Sequence, residues 1–242
     1  FYRCENLHNG SSNTWNNWNT STIANMSSLF MLTDFNEPIG NWNTSNVLDM
    51  SEMFLFTKFN QAIGGWNVSK VTSMYRMFRS SQFNQPIGNW NVSSVTNMEE
   101  MFNINLVFNQ PIDNWNVSNV QTMESMFAGT RDFNQPLNSW NVGNVLNMEQ
   151  MFYSSNFNEN ITNWNVSKVT NMGSMFSSND DFNQNIGNLN VSSVTNMSSM
   201  FNNSIFNQDI SNWNVSNLQN MTFMFSNDFF NQDIGNWDTS NV

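Results

Sequence analysis

The sequence predicts an α/β repeat solenoid, built from coils of 24–25 residues that each carry a short strand and a short helix. Three columns of residues make that prediction. Trp18, Trp42, Trp66, Trp90, Trp115, Trp140, Trp164, Trp213 and Trp237 recur every 24 or 25 residues, with Leu189 in the eighth place. A Phe-Asn pair stands seven residues before each of these positions from Trp42 onward, as in Phe35-Asn36 and Phe230-Asn231. A Met-Phe pair places its Phe twelve residues after them, as in Met53-Phe54 and Met224-Phe225, and only the first copy differs, with Leu29-Phe30. Self-similarity at a fixed period is the mark of repeat architectures, in which no unit buries its apolar face alone.

Within one unit, Trp90 and Val92 alternate with Asn91 and Ser93, which predicts a short strand with Trp and Val turned inward. Val95, Met98, Met101 and Phe102 then fall at the spacing of a helical stripe, so a two-turn helix is expected there, with Ser93 or a neighbour as its cap. The stretch from Phe83 to Gly88 contains Pro86 and Gly88 and reads as a return turn. The strands line up as a parallel sheet at about 4.8 Å per coil. The core ladder is then Trp42, Trp66, Trp90, Trp115, Trp140 and Trp164, joined in each coil by the equivalents of Met98, Met101 and Phe102. Every length change falls between Met-Phe and the next Phe-Asn, at Asn103 to Val107, Ala128 to Asp132 and Ser177 to Asp181, which marks an edge loop.

Two asparagine columns accompany the apolar ones. Asn36, Asn60, Asn84, Asn109, Asn134, Asn158, Asn183, Asn207 and Asn231 follow the Phe, and an amide held in register can donate and accept along the stack or bond the turning backbone. A second column follows the Trp. Its Asn67, Asn91, Asn116, Asn165 and Asn214 lie in N-V-S sequons and are possible glycosylation sites, although N-V-S is also part of the repeat itself. Residues 1–17 read as a cap or a divergent first coil. Residues 18–242 read as a single solenoid of about ten repeats that continues beyond Val242, because the last copy stops partway through a coil.

The motif F-N-Q-P-I-G-x-W-N/D-V-S-x-V-T-x-M-x-x-M-F, seen at Phe83 to Phe102 and Phe206 to Phe225, resembles the repeats of BspA-type leucine-rich-repeat surface proteins, the DUF285 subtype. The resemblance implies leucine-rich-repeat-like coils and an extracellular, cell-surface or virion-surface location. It also implies a role in adhesion or in holding a protein or glycan partner, and it supplies no catalytic residues.

Composition narrows the function in the same direction. A net charge of −11 with seven basic residues repels phosphate backbones, so nucleic-acid binding is not expected. No apolar run is long enough to span a membrane. One cysteine, Cys4, and one histidine, His8, cannot build a His/Cys zinc set or a His-based triad within one chain. No catalytic residue and no cofactor is expected. Asp180, Asp181 and Asp228 are weak candidates for Ca²⁺, weighed against a solvated acidic face. The reading is therefore a non-enzymatic surface module that binds protein or glycan. The alternative is a structural subunit of an extracellular fibre or coat that self-associates into filaments.

Overall fold

The computed structural model describes residues 15–242. Cys4, His8 and most of the expected 1–17 cap lie outside the described residues. Coils are numbered here from their tryptophan-column residue: coil 1 is 18–41, coil 2 42–65, coil 3 66–89, coil 4 90–114, coil 5 115–139, coil 6 140–163, coil 7 164–188, coil 8 189–212 and coil 9 213–236.

Each coil lies against the next in register. A chain of single-residue parallel bridges links Asn25 to Asp49, Asp49 to Ser73, Ser73 to Asn97, and so on to Asn220. The buried columns behave as one ladder. Phe54, Phe78 and Phe102 stack on one another with centroids 5.6 and 5.7 Å apart, and Trp90, Trp115 and Trp140 at 6.5 and 6.4 Å. Inside a coil the Met-Phe ring lies flat on the next Phe-Asn ring, 4.0 Å away for Phe78 and Phe83. Met98, Met101 and Phe102 are fully buried, and Trp42, Trp66, Trp90, Trp115, Trp140 and Trp164 are at least 96% buried. Each such side chain contributes about 1.5–3 kcal/mol by its burial.

The predicted secondary structure does not form. Among the described residues the only helix is the 3-10 turn Trp15–Asn17, and the bridges never extend into a strand or a sheet. The α/β solenoid of strands and helices is therefore overturned. At Trp90 to Ser93 the chain turns instead of extending: Trp90 N–H donates to the Ile87 carbonyl and Val95 N–H to the Val92 carbonyl.

The segment expected to be helical is a ribbon of overlapping turns. In coil 3, the N–H groups of Met77, Arg79 and Ser81 close turns onto the carbonyls of Met74, Arg76 and Phe78. The alternate N–H groups, those of Met74, Arg76, Phe78 and Ser80, donate across to Asn97, Glu99, Met101 and Asn103 in coil 4. All seven donors are accounted for, which is what a buried backbone requires. The ribbon needs left-handed backbone at two places per coil, four residues apart, as at Arg76 (φ 54°) and Ser80 (φ 52°). Two such residues within one turn of each other are incompatible with a right-handed helix. A helix would satisfy these N–H groups within its own chain. The in-register neighbour offers carbonyls at the same positions, and stacking the aromatic ladder demands that it lie there.

Glycine has a tighter role than the turn chemistry read from the sequence. A Cβ on Gly64 would stand 2.6 Å from the Pro86 carbonyl oxygen of the next coil, and one on Gly88 2.6 Å from that of Pro111. Close approach of a neighbouring coil excludes a side chain there.

Candidate functional site

The invariant columns are buried, so function falls to what the coils show outside. Two surfaces vary from coil to coil: the outer side of the turn ribbon and the edge loop that follows it.

The two asparagine columns hold the frame for these surfaces. Each Phe-Asn Oδ1 accepts the backbone N–H of its copy one coil on: Asn36 from Asn60 at 2.9 Å, Asn60 from Asn84, Asn84 from Asn109, and so through Asn134, Asn158, Asn183 and Asn207 to Asn231. The following Gln adds a second bond, as Gln110 Nε2 to Asn84 Oδ1 at 2.8 Å. The Trp-Asn column works locally. Asn67, Asn91, Asn116, Asn165 and Asn214 are exposed, and the Oδ1 of each accepts the N–H of the serine two residues on. The inter-coil bond at that turn comes from the indole instead, Trp115 Nε1 to the Ile87 carbonyl at 3.1 Å and Trp140 Nε1 to Ile112 at 3.0 Å. Leu189 cannot donate this bond.

Sequence reasoning missed a third polar column and a fourth. Asn97, Asn147, Asn171, Asn196 and Asn220 accept the N–H two residues on and start each ribbon. The same pattern of acceptor and amide occurs at a helix N-cap, so the sequence signal serves both structures equally. The fourth column sits three residues after Met-Phe and is buried. In the shorter coils it is Ser or Thr, except for Asp228 in coil 9; the Ser81 Oγ, for example, donates to Phe78 and accepts from Phe83. In two of the three longer loops it is Asn. Asn105 Oδ1 accepts from Val107 and Phe108 while its Nδ2 reaches Ser81 and Phe83, and Asn179 repeats the arrangement. The longer side chain spans the extra residue. Asn replacing Ser/Thr where the loop lengthens was the signal available.

The outer ribbon of coils 2 to 6 is the most charged surface. Glu100 in coil 4 takes two arginines from coil 3, Arg76 at 2.6 Å and Arg79 at 2.8 Å, and Arg76 stands 3.9 Å from Glu52. The Arg76 guanidinium lies over the Tyr75 ring. Burial works against the Arg76 charge, but the Glu100 carboxylate outweighs it and raises the Arg76 pKa. Glu99, Glu124 and Glu149 occupy one column on consecutive coils. Burial, then the neighbouring carboxylates, raise Glu124 above the usual carboxylate range, against a bond from Asn147 Nδ2 at 2.7 Å. Burial followed by Glu100 raises Glu99 in the same way.

One cleft opens where coils 4 and 5, both of the longer kind, follow one another, and a second opens on coils 2 to 4. One is lined by Arg79, Glu100, Asn103, Ile104, Glu124, Ser125, Gln150, Tyr153 and Ser154. The other is lined by Ser80, Gln82, Asn84, Ile104, Leu106 and Val107. Ile104 is the wall between them, 48% exposed, and it is a β-branched residue in left-handed backbone (φ 56°).

The calcium candidates do not share a place. Asp180 and Asp181 are exposed on the coil 7 loop. Asp228 lies two coils on, half-buried in the Ser/Thr column, where it accepts from Ser204 and from the Phe229 N–H. Burial raises its pKa against those bonds. Among the described residues no three His, Cys, Asp or Glu side chains converge as metal ligands. Nor is any helix long and apolar enough to cross a membrane.

In-register stacking with a 24–25-residue period defines a repeat protein. Three overlapping matches to the family model described as "Mycoplasma protein of unknown function, DUF285" span residues 1–103, 57–158 and 153–242, and the chain belongs to that family. Comparison with curated proteins finds no match.

Proposed function

We propose that this chain is a non-catalytic recognition module on the outside of a cell or virion, holding a protein or glycan on its variable outer ribbon and edge. One observation carries the reading: coil-to-coil variation is concentrated where the clefts open, while the buried columns repeat almost unchanged. A frame that repeats and a surface that does not is the arrangement of repeat proteins whose extended faces bind partners. The resemblance to BspA-type surface proteins supports the same direction.

The test uses intact source particles and an antibody against the folded chain. Labelling without permeabilisation is expected, and labelling only after permeabilisation overturns the location. For binding, the labelled full chain is titrated onto those particles, alone and as an Arg79→Ala/Tyr153→Ala variant. Saturable binding that the variant loses is expected. Equal binding by both moves the site off this face. Filaments in negative stain of the native material, without saturable binding, favour the fibre or coat subunit instead.

A further inference from the structure

The wall between the two clefts is held at a cost that the core does not offset. Ile104 is β-branched and adopts left-handed backbone, where coils 3, 6 and 7 place Ser80, Ser154 and Ser178. That conformation costs an L-residue about 1–2 kcal/mol. Ile104 is nonetheless about half exposed, and Gly129 in the next coil brings no side chain to cover it: a Cβ there would stand 3.4 Å from Ile104 Cγ1. Strain retained at an exposed position points to a contact outside the chain. Leu106 and Val107 are exposed on one side of this wall, and Tyr153 is exposed in the cleft of about 500 Å³ on the other.

Charge says what covers these apolar groups. Arg76 and Arg79 both bind Glu100, and Arg76 also faces Glu52, so two arginines are matched by two carboxylates. Glu124 lines the cleft with Tyr153, and Glu99 and Glu149 flank it on the neighbouring coils. Among the described residues none of these three forms an ion pair. Asn147 and Asn171 amides hold the Glu124 and Glu149 carboxylates in place, each at 2.7 Å. An acidic partner is repelled by this row and by a net charge of −11. A Lys or Arg side chain fits both features. Its head faces Glu124 and the Tyr153 ring, and its aliphatic stem lies along Ile104. In an extended segment the side chain two residues on is roughly 6–7 Å away on the same face, which suits an apolar residue on the Leu106 and Val107 side.

We infer that the two clefts together dock a cationic, amphipathic segment of a partner protein, with a basic side chain over Glu124 and an apolar one over Leu106 and Val107. The inference rests on the recognition-module reading and narrows the partner to a protein.

The experiment is calorimetry on the full chain with a decapeptide in which pairs of Lys and pairs of Leu alternate, so that each face of the extended peptide carries both. Octalysine, spermine and the same decapeptide with Glu for Lys are the comparisons. The Lys/Leu peptide is expected to bind about tenfold or more tighter than octalysine or spermine, and the Glu peptide not at all. Salt should weaken the binding, since charges are neutralised. Glu124→Gln keeps an acceptor for Asn147, and Ile104→Ser installs the residue of the equivalent positions, so both retain the fold, which a thermal melt verifies. Each should weaken the peptide about tenfold. Asp209→Asn removes the same charge on coil 8 and should change nothing. Equal losses from Asp209→Asn and Glu124→Gln, or no loss from Ile104→Ser, reduce the binding to general charge attraction and overturn the inference. Octalysine or spermine binding as tightly as the Lys/Leu peptide overturns it too. If the peptide fails to bind while the chain still binds source particles saturably, the inference falls and the recognition module stands. Loss of both removes both readings.

Discussion

The Trp turn and the Met-Phe ribbon join the same coils by opposite means. In the ribbon the backbone itself crosses: Phe78 N–H to Met101 and Ser80 N–H to Asn103 need no particular side chain. At the Trp turn the backbone N–H groups close locally, and the crossing bonds come from side chains, Trp115 Nε1 to Ile87 and Asn119 Nδ2 to Ser93. Where side chains make the joint, the sequence must repeat. Where the backbone makes it, the outward side chain is free to vary. Tyr75, Glu99, Glu124, Glu149 and Gly173 succeed one another in one ribbon column without interrupting the crossing bonds. The candidate cleft lies on the ribbon for this reason.

The largest test of that contrast is Trp140→Ala, which removes a buried ring and its bond to Ile112. It should cost about 3–5 kcal/mol in urea unfolding. A loss below 1 kcal/mol breaks the claim that the Trp turn depends on its side chain. Asn105→Ala leaves the buried Phe108 N–H, and the N–H of the more exposed Val107, without their acceptor. We expect a loss of about 1–3 kcal/mol, while Gln82→Ala on the neighbouring shorter loop should be close to neutral in the same assay.

A smaller effect of opposite sign is expected at the ribbon. Ile104→Gly relieves a β-branched residue of its left-handed conformation. The relief, about 1–2 kcal/mol, is partly offset by the greater entropy of the unfolded glycine, about 0.5–1 kcal/mol. A small rise in melting temperature should follow, and a fall means that Ile104 packing outweighs its backbone strain.

The smallest effect is electrostatic. Glu99 and Glu124 are raised by burial and by neighbouring carboxylates, so the folded state holds their protons more tightly than the unfolded chain does. Their contribution is fully present below the ordinary carboxylate pKa and is lost as pH rises through the raised values. Melting temperature should therefore increase slightly from pH 7 toward pH 5. Asp209 and Asp238, lowered by their bonds to Ser211 and Ser240, act in the opposite direction and only at more acid pH. Glu124→Gln should flatten the slope between pH 7 and 5. An unchanged slope assigns the effect to carboxylates elsewhere.

Part of this molecule was legible before any coordinates. The columns Trp115, Phe127 and Phe133 could be read as buried because only a packed ladder requires the same large ring at the same interval. The helix was misread because Val95, Met98, Met101 and Phe102 point inward whether the backbone coils on itself or turns against a neighbour, and Asn97 starts either structure. The clefts were not legible: Arg79, Asn103 and Tyr153 lie in different coils and meet only through the stacking.

The sequence by itself determined the period, the coil boundaries and which side chains are inside, since each follows from residues recurring at a fixed interval. The tertiary structure alone decided how the backbone runs between them. A lone coil would leave half its ribbon N–H groups without acceptors. With the next coil in place, the carbonyls of Asn97, Glu99, Met101 and Asn103 receive those donors, and a chain of turns replaces the helix.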